Sequence, residues 1–423
     1  MNNVFDIVVC GGGMGGLCSA VAAARNGMSV LLVEKYGFAG GMATSGLVNP
    51  FMSFRRQIQK EDGAWERGEG DEDIIASPIF IEIVNRLKSM GAADESGQIF
   101  DDEILKFVLD GMLIESGVKI LYHSFVSGAK TNKSAIDEIS LTTKSDNLRI
   151  KAKVFIDATG DGDLAYLAGF PYEMGTGDEE ACQPMTLCFR IGGVSGFPSF
   201  GEVWKDLNSI YSDAKKSGAI TIPRENVLLF RTLRPDVIHF NTTRIVGKDG
   251  TDSMELGQAE IEGRSQAMSL FSLFREKSAF FKDAFMLKMA CQIGVRETRR
   301  ITGAYTLTAE DVVGAKTFED GIARSSYPID IHNPKGEGTV IKKVEGPFYE
   351  IPFRCLIPEE STNLLMACRA ISSTHEAHSS LRVMPVVASI GQAAGFAASE
   401  AVKNKKPLSE IDGKILKSQL IKE

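Results

Sequence analysis

Residues 373–387 read STHEAHSSLRVMPVV and bring together side chains that could do chemistry. His375 and His378 are two of only five histidines in the chain, and Arg382 follows them closely. Histidine titrates near neutral pH and could move a proton, whereas arginine could bind a carboxylate or stabilise negative charge. Two interpretations compete with a catalytic loop: a metal site, and the beginning of a core helix near Pro385.

The metal interpretation lacks a complete ligand set. His375-x-x-His378, with Glu376 between the two histidines, matches neither an HExxH zinc motif nor a cysteine and histidine cluster. No third ligand is evident nearby in the sequence. We therefore predict no metal in this segment.

The helix interpretation agrees with the surrounding pattern. Residues 363–368 predict a buried strand, 369–383 a loop, and 383–402 a helix rich in small residues. Pro385 suits the first helical position, because its missing N–H costs nothing there. The helix is about long enough to span a membrane, yet polar residues such as Gln392 interrupt it, so we expect a buried helix and no membrane span.

The bulk composition is that of an ordinary globular protein. The chain has 423 residues, of which 43% are hydrophobic and 24% charged, so two or more domains with a sizeable core are expected. A formal charge of −8 and a pI of about 5.4 argue against a nucleic-acid partner and against an anionic membrane surface. The seven cysteines include no CxxC pair, which disfavours iron–sulfur and zinc-ribbon sites and suits a reducing compartment. We expect a cytoplasmic protein.

The first residues predict a strand–helix–strand unit followed by an acid. Residues 4–10 form a continuous apolar strand, 17–26 a small-residue helix, and 28–33 a second buried strand that ends at Glu34. Between the first strand and the helix stands GGGMGG, which has the G-x-G-x-x-G spacing. Inside a complete unit of this kind, the spacing predicts a bound dinucleotide, but it does not distinguish FAD from NAD.

Each glycine of this motif has its own structural task. Gly11 permits the tight turn, Gly13 lets a pyrophosphate approach the backbone, and Gly16 lets the helix lie close on the strand. The helix N-terminus offers N–H groups and a partial positive charge to the phosphates. Glu34 is positioned to accept hydrogen bonds from ribose hydroxyls.

Two further glycine-rich stretches follow. Gly40 and Gly41, in GFAGGMATSGL, form a second flexible turn that either wraps a large cofactor or is an ordinary loop. The stretch VFIDATGDGDLA repeats the glycine spacing, but Asp161 and Asp163 would then lie against the phosphates. We therefore predict a sharp turn whose acidic side chain meets cofactor hydroxyls, and no dedicated second site for NAD(P)H.

The remaining elements are predicted from hydrophobic periodicity. They are an exposed excursion at 55–73, helices near 78–90 and 102–116, a strand at 119–122, a hairpin between 135 and 153, and helical runs at 257–277 and roughly 280–293. From about 170 to 355, strand-like runs surround helical ones, which indicates a separate domain. Within it, GVRETRRI carries Arg296, which either belongs to a solvated charged turn or points at an anionic substrate or a flavin.

The segments DIVVCGGGMGG, VEKYGFAGGMATSG, FIDATGDGDLA, QPMTLCFRIGGV, GVRETRRITGAYTLTAEDV and NLLMACRAISSTHEAHSSLRVMPVVASIGQAAG, in this order, span nearly the whole chain. Together they resemble the FAD-dependent oxidoreductase family, within the broader group of glutathione-reductase-like flavoproteins. One departure is Cys368, where the family commonly has glycine before the arginine matched here by Arg369.

The resemblance implies an extended FAD whose ADP half lies on the first glycine motif and Glu34. It also implies that the chain returns at its end to complete the FAD domain, with the N-terminus of the last long helix against the flavin. The cofactor-binding residues are then Gly11, Gly12, Gly13, Met14, Gly15, Gly16, Glu34, Lys35, Gly40, Gly41, Met42, Val126, Ala158, Gly160, Asp161, Asp163, Arg369, Gly391, Gln392 and Gly395.

We therefore predict an α/β protein with a Rossmann-like FAD-binding domain formed by both chain ends, residues 1–168 and 356–423. A substrate domain of mixed sheet and helix, residues 169–355, is inserted between them. The expected activity is hydride transfer between flavin N5 and a small organic substrate. Arg296 and Arg382 are candidates for substrate anchoring, and His375 or His378 for proton transfer.

Several alternatives stay open on the sequence alone. The chain could be a flavin-bearing electron-transfer subunit that needs a redox partner protein, an NAD-linked dehydrogenase, or a nucleotide-binding protein without catalytic activity. Association into a homo-oligomer is also left open.

Overall fold

The computed structural model describes residues 4–177 and 181–420. Within these residues the strands are β1 Val4–Cys10, β2 Val30–Val33, β3 Gln57–Gln59, β4 Trp65–Arg67, β5 Lys119–Leu121, β6 Phe125–Asn132, β7 Ala135–Thr142, β8 Asn147–Asp157, β9 Tyr172–Met174, β10 Phe189–Gly192, β11 Leu229–Arg231, β12 Ile238–Phe240, β13 Phe285–Met289, β14 Arg299–Ile301, β15 Gly321–Ser325, β16 Ile329–His332, β17 Thr339–Lys342, β18 Tyr349–Pro352 and β19 Leu364–Met366.

The helices are interspersed among these strands along the chain, as in a mixed α/β protein. In the described part of the chain they are α1 Met14–Arg25, α2 Pro78–Ser89, α3 Asp102–Glu115, α4 Asp163–Leu167, α5 Phe200–Lys216, α6 Ser253–Lys277, α7 Ala309–Val313, α8 His375–Leu381, α9 Met384–Asn404 and α10 Gly413–Leu420. The predicted α/β class is confirmed.

The larger sheet combines both ends of the chain. Its strand order is β5-β2-β1-β8-β7-β6, and β19 pairs with the end of β8 on the side away from β1. The strands β5, β2, β1, the second half of β8 and β19 run parallel, whereas β6, β7 and the first half of β8 form an antiparallel extension. β1, apart from Asp6, and β2 are apolar and largely buried, as expected for inner strands of a parallel sheet.

Helices α1 and α9 touch backbone to backbone in the core of this sheet. A Cβ added at Gly391 of α9 would lie 2.1 Å from the carbonyl oxygen of Gly15 in α1. The hydroxyl of Ser19 donates to the carbonyl oxygen of Gly391 at 2.8 Å. The small residues of GQAAG therefore hold α9 against the glycine-rich beginning of α1.

The second sheet is antiparallel, with the order β11-β12-β10-β13. Its core is aromatic: the rings of Phe189 and Phe240 stack at 4.8 Å, and Phe274 of α6 stacks on Phe240 at 5.8 Å. The predicted helix at 280–293 was wrong, since β13 occupies this segment. The alternating exposure of Phe285–Met289 and its pairing with β10 prevail over the local helical pattern.

The predicted loop at 369–383 was also wrong in part, because α8 lies within it. Thr374 caps this seven-residue helix by accepting a hydrogen bond from the backbone N–H of Ala377 at 3.3 Å. Among the described residues, no single helix meets the length and hydropathy required to cross a membrane. The pair α8 and α9, bent by 92°, meets them only when the two are taken together.

Candidate active site

A single cavity of about 960 Å³ runs from the larger sheet to the second sheet. Its volume lies at the upper end of the ~300–1,000 Å³ range of small-molecule and cofactor sites. At one end it is lined by Cys10 and Val33, which end β1 and β2, and by Ala158 and Ala367, which follow β8 and β19. These are the carboxyl ends of parallel strands, where open α/β sheets bind their ligands.

The glycine motif shapes this end of the cavity. Gly11 has φ +102°, and a Cβ there would lie 2.2 Å from the carbonyl oxygen of Ala158. A Cβ at Gly16 would lie 1.9 Å from the carbonyl oxygen of Gly11. Gly13 is different, because a Cβ there would meet no atom nearer than 3.9 Å, at Gly41. Gly11 and Gly16 are thus required by packing, whereas Gly13 borders open space.

No side chain caps the N-terminus of α1 at Gly13. The first N–H groups of the helix are therefore available to a ligand in the cavity, together with the positive end of the helix dipole. Gly40 covers the same place from the other side, since its N–H donates to the carbonyl oxygen of Gly12 at 2.8 Å. The two glycine turns form one pocket with the properties of an anion site.

Glu34 is held beside this pocket by the backbone. Its Oε2 accepts a hydrogen bond from the N–H of Gly12 at 2.6 Å, and its Oε1 accepts one from the N–H of Tyr36 at 2.9 Å. Burial raises the pKa of the Glu34 carboxyl, and these two backbone hydrogen bonds oppose the rise. The carboxylate lines the cavity and has lone pairs left for ligand hydroxyls.

Arginine side chains bind the two carboxylates of the acidic turn that follows β8. Asp161 accepts hydrogen bonds from the guanidinium of Arg369 and from the hydroxyl of Thr298, the latter at 2.6 Å. Asp163 accepts one from Nη1 of Arg299 at 2.9 Å. Both carboxylates line the cavity, so their charges are balanced before any ligand binds.

The structure separates the two histidines of the opening segment from the cavity. His375 begins α8, and its Nδ1 lies 2.8 Å from Oε1 of Glu297, a buried carboxylate that also binds Nη1 of Arg300 at 2.7 Å. His378 is fully buried, and neither of its ring nitrogens has a hydrogen-bond partner in the described part of the chain. Burial lowers the pKa of His378 to about 3, against a rise caused by Glu297.

Arg296 lies at the far end of the cavity and is held by neutral acceptors. Its Nη1 donates to the carbonyl oxygen of Pro184 and to the hydroxyl of Thr186, each at 2.6 Å, and Nη2 donates to Oδ1 of Asn241 at 3.4 Å. Burial, together with the nearby charge of Arg382, lowers the pKa of Arg296 to about 9. Arg296 is therefore part of the cavity and does not belong to a solvated turn.

Three other polar side chains, those of Tyr327, Asp330 and His332, line the cavity at the same end as Arg382. The hydroxyl of Tyr327 donates to Oδ2 of Asp330 at 2.9 Å, and Nε2 of His332 lies 3.8 Å from the same oxygen. Arg382 approaches the backbone carbonyl of Asp330 at 3.4 Å. Burial and the surrounding arginines hold the pKa of His332 well below its usual range, so this imidazole is neutral.

Most of the residues predicted from the sequence line the cavity. They are Gly11, Gly13, Met14, Gly15, Glu34, Lys35, Gly40, Gly41, Met42, Val126, Ala158, Gly160, Asp161, Asp163, Arg296, Arg369 and Arg382. The structure does not bring the following predicted residues to the cavity lining: Gly12, Gly16, Gly391, Gln392, Gly395, His375 and His378. Gln392 instead accepts a hydrogen bond from the N–H of Ile79 at 2.9 Å.

Sequence analysis missed Arg224, Asn241, Tyr327, Asp330 and His332, which all line the far end. One signal was available: Asp330 and His332 stand two residues apart in the otherwise apolar run YPIDIH. On a strand, two such side chains share a face. Among the described residues, no group of three or more His, Cys, Asp or Glu side chains is arranged to hold a metal ion.

A family model and solved structures match nearly the whole chain. The family model described as FAD dependent oxidoreductase matches residues 6–420. The structure is similar to a geranylgeranyl bacteriochlorophyll reductase-like protein from Thermoplasma acidophilum, with a TM-score of 0.50 and 12% identity over 99% of this chain and 84% of that one. At this identity the likeness concerns the fold alone.

Two curated relatives match parts of the chain. Digeranylgeranylglycerophospholipid reductase 1 of Methanococcoides burtonii is 25% identical over 195 residues, 46% of this chain and 46% of that protein. Thiamine thiazole synthase of Methanococcus aeolicus is 31% identical over 159 residues, 37% of this chain and 54% of that protein. The chain thus spans about half the length of the curated relatives it matches.

Proposed function

The chain belongs to the FAD-dependent oxidoreductase family, and from that premise we propose that it transfers a hydride between FAD and a small organic substrate. We further propose that residues 1–168 and 356–423 bind the cofactor and that residues 169–355 supply the substrate wall. The cofactor of this family is FAD. Bound FAD supplies the two-electron redox chemistry at its N5 atom.

The residues at the sheet end of the cavity are suited to this cofactor. The N-terminus of α1 and the N–H of Gly41 offer backbone donors to a pyrophosphate, and Gly13 leaves room for it. Glu34 can accept hydrogen bonds from ribose hydroxyls, because its backbone partners already orient both oxygens. A carboxylate at this place also disfavours a 2′-phosphate, as the dinucleotide fingerprint predicts.

The far end of the cavity supports the substrate part of the proposal. Arg296 and Arg382 are candidates to anchor a substrate, since both guanidiniums line the cavity. We assign proton transfer at the substrate to Tyr327 and Asp330, whose hydrogen bond of 2.9 Å lies within the cavity wall. The role of His375 and His378 in proton transfer stays a prediction. Their position outside the cavity lining favours a structural role.

The observation that carries the proposal is the continuity of the cavity. The same space reaches the glycine motif and Glu34 at one end and Arg296, Tyr327 and Asp330 at the other. A dinucleotide held at the first end would therefore share one enclosure with a small molecule held at the second. This arrangement favours an enzyme that acts on a small substrate over a subunit that only carries electrons to a partner.

The absorption spectrum of the purified protein tests the proposal. Flavin bands that stay in solution after acid precipitation of the protein would support bound, non-covalent FAD, and a yellow pellet would indicate covalent attachment. A substrate screen would then follow bleaching of the flavin bands under nitrogen. A colourless protein that also fails to bind added FAD would contradict the proposal.

A further inference from the structure

Three arginines line the far end of the cavity, and no carboxylate side chain pairs with any of them in the described part of the chain. They are Arg224, Arg296 and Arg382. They come from segments far apart in sequence, ahead of β11, ahead of β14 and at the end of α8. Cationic side chains are rarely buried without a partner, because removing a charge from water costs free energy.

Arg224 is the clearest case. The residue is only 5% exposed, and its Nε is buried without a hydrogen-bond partner. Among the described residues, no hydrogen bond or ion pair involves its guanidinium, although the side chain lines the cavity. Burial lowers the pKa of Arg224, and the neighbouring charge of Arg244 lowers it further. A buried guanidinium without a partner lowers the stability of the folded protein unless a ligand supplies the missing negative charge.

The other two arginines are also left with unused charge. Arg296 is bound only by neutral oxygens, from Pro184, Thr186 and Asn241. Arg382 has a buried Nε without a partner, and its Nη2 reaches only the backbone carbonyl of Asp330 at 3.4 Å. The three guanidiniums act on the same imidazole, since all of them lower the pKa of His332.

The acids at this end do not neutralise this charge. Glu225 lines the cavity but is bound by Nη1 of Arg244 at 3.1 Å and by the N–H of Gly338. Asp330 is then the remaining acid among the described residues here, and it accepts the hydroxyl of Tyr327. Three cations against one carboxylate leave an excess of two positive charges for a ligand.

We propose that the substrate carries two negative charges on oxyanion groups, either two carboxylates or a phosphate, and that Arg224 binds them together with Arg296 and Arg382. This inference rests on the proposed function, because it assumes that the far end of the cavity is the substrate site. Guanidinium groups suit this task because their planar N–H donors match carboxylate and phosphate oxygens in pairs.

The cofactor does not account for this cluster. The charged groups that act on Glu34 and Asp163, at the dinucleotide end, are Lys35, Asp161 and Arg299. The three arginines of the far end are not among them. The dinucleotide end has its own anion pocket at the N-terminus of α1, so the far cluster is available to a second molecule.

Calorimetric titration of the flavin-loaded protein with succinate, inorganic phosphate and acetate tests the proposal. We expect succinate or phosphate to bind at least about 10-fold more tightly than acetate, because the second charge finds its own guanidinium. Tighter binding of succinate than of phosphate would identify a dicarboxylate substrate, and the reverse order a phosphorylated one. Equal affinity for acetate and both dianions, or no binding of either dianion, would overturn the proposal.

Arg224→Met isolates the role of the third arginine. The variant should fold with a midpoint of thermal unfolding at least as high as that of the wild type, because a buried unpaired charge is removed. It should bind the preferred dianion about 10- to 100-fold more weakly, the usual effect of losing hydrogen bonds to a charged group. Arg234→Met, at an exposed position of the same region, should change neither quantity and is the matched control.

Two further outcomes separate this inference from the proposed function. Unchanged dianion affinity in Arg224→Met would overturn the inference. Loss of flavin with unchanged dianion affinity would also overturn it, because Arg224 would then belong to the cofactor site. A wild-type protein without flavin would contradict the proposed function, yet its titration with the same three anions would still test the arginine cluster. If Arg224→Met does not fold, Arg224→Lys keeps the charge, and it should lose affinity for the dianion through loss of paired hydrogen bonds.

Discussion

Tyr327 and Asp330 form a pair inside the cavity that has a close counterpart outside it. The Tyr327 hydroxyl donates to Asp330 at 2.9 Å, and the Tyr305 hydroxyl donates to Asp311 at 2.8 Å away from the cavity lining. Burial raises the pKa of Tyr327, which keeps the phenol protonated at neutral pH and able to donate a proton. Both pairs consist of a tyrosine hydroxyl that donates to an aspartate, but only the Tyr327–Asp330 pair lines the cavity.

Tyr327→Phe should therefore slow the reaction while leaving the fold intact. General acid–base catalysis contributes roughly 10²- to 10⁴-fold, so we expect a loss of that order in the rate of flavin reduction by a substrate found in a screen. Rapid-mixing absorbance measures this rate. Tyr305→Phe is the matched control and should have the wild-type rate, and equal rates in all three proteins would rule out the assignment of Tyr327.

His378 gives a prediction that concerns pH. Its folded-state pKa of about 3 lies below the usual 6.5, so the unfolded chain binds a proton at this residue over a range where the folded protein does not. As the pH falls from 6.5 towards 3, the folded state therefore loses stability relative to the unfolded state, by about 1.4 kcal/mol per pH unit for one histidine.

His378→Leu should remove this loss. The free energy of unfolding of the variant, measured in urea, should rise relative to the wild type as the pH is lowered from 7 to 5. The pH profile of the reaction above pH 5 should be the same in both proteins, because the histidine is already neutral there. A shifted profile with unchanged stability would instead favour the proton-transfer role that the sequence suggested for His378.

Helices α1 and α9 determine where the glycine pocket lies. Gly391 brings the two backbones together so closely that a Cβ there would lie 2.1 Å from the carbonyl oxygen of Gly15, and a Cβ at Gly15 would meet the carbonyl oxygen of Ala367. The N-terminus of α1 faces the glycine pocket, and residues Val383 and Met384 at the beginning of α9 line the same cavity. A change in the contact between these helices should therefore reach the cofactor site.

Gly391→Ala tests this link between packing and binding. The added Cβ would lie 2.1 Å from the carbonyl oxygen of Gly15, so we expect a loss of about 1–3 kcal/mol in the free energy of unfolding, together with a lower flavin content. Gly257→Ala in α6 is the control, since a Cβ there meets nothing within 4 Å. It should be neutral or slightly stabilising, because alanine favours a helix more than glycine does.

The accuracy of the sequence-based predictions depended on how local each signal was. The unit β1–α1–β2 was predicted because its apolar runs and glycine spacing lie within thirty-odd neighbouring residues, and β1 has the predicted limits Val4–Cys10. Helix α8 was missed because its seven residues HEAHSSL carry no helical hydrophobic period. Strand β13 was read as helix because its pairing with β10 lies almost a hundred residues away.

The two ends of the cavity also differ in how far their residues could be predicted from local sequence patterns. The dinucleotide end is built on one contiguous motif, with additions from the turn after β8 and from Arg369, and most of its residues were predicted. The far end combines Arg224, Asn241 and Arg296 with Tyr327 and Asp330, which no local pattern connects. Only the packing of the second sheet, the β16–β17 hairpin and α8 brings these side chains together.

The flavin content of Gly13→Val tests most directly whether the glycine motif holds FAD. Gly13 has an ordinary helix N-cap conformation, and a Cβ there would meet no protein atom nearer than 3.9 Å, so the variant should fold. Its side chain would occupy the space assigned to the pyrophosphate. We predict about one flavin per chain in the wild type and almost none in the variant, with matching circular dichroism. A folded Gly13→Val protein that keeps its full flavin content would contradict the account.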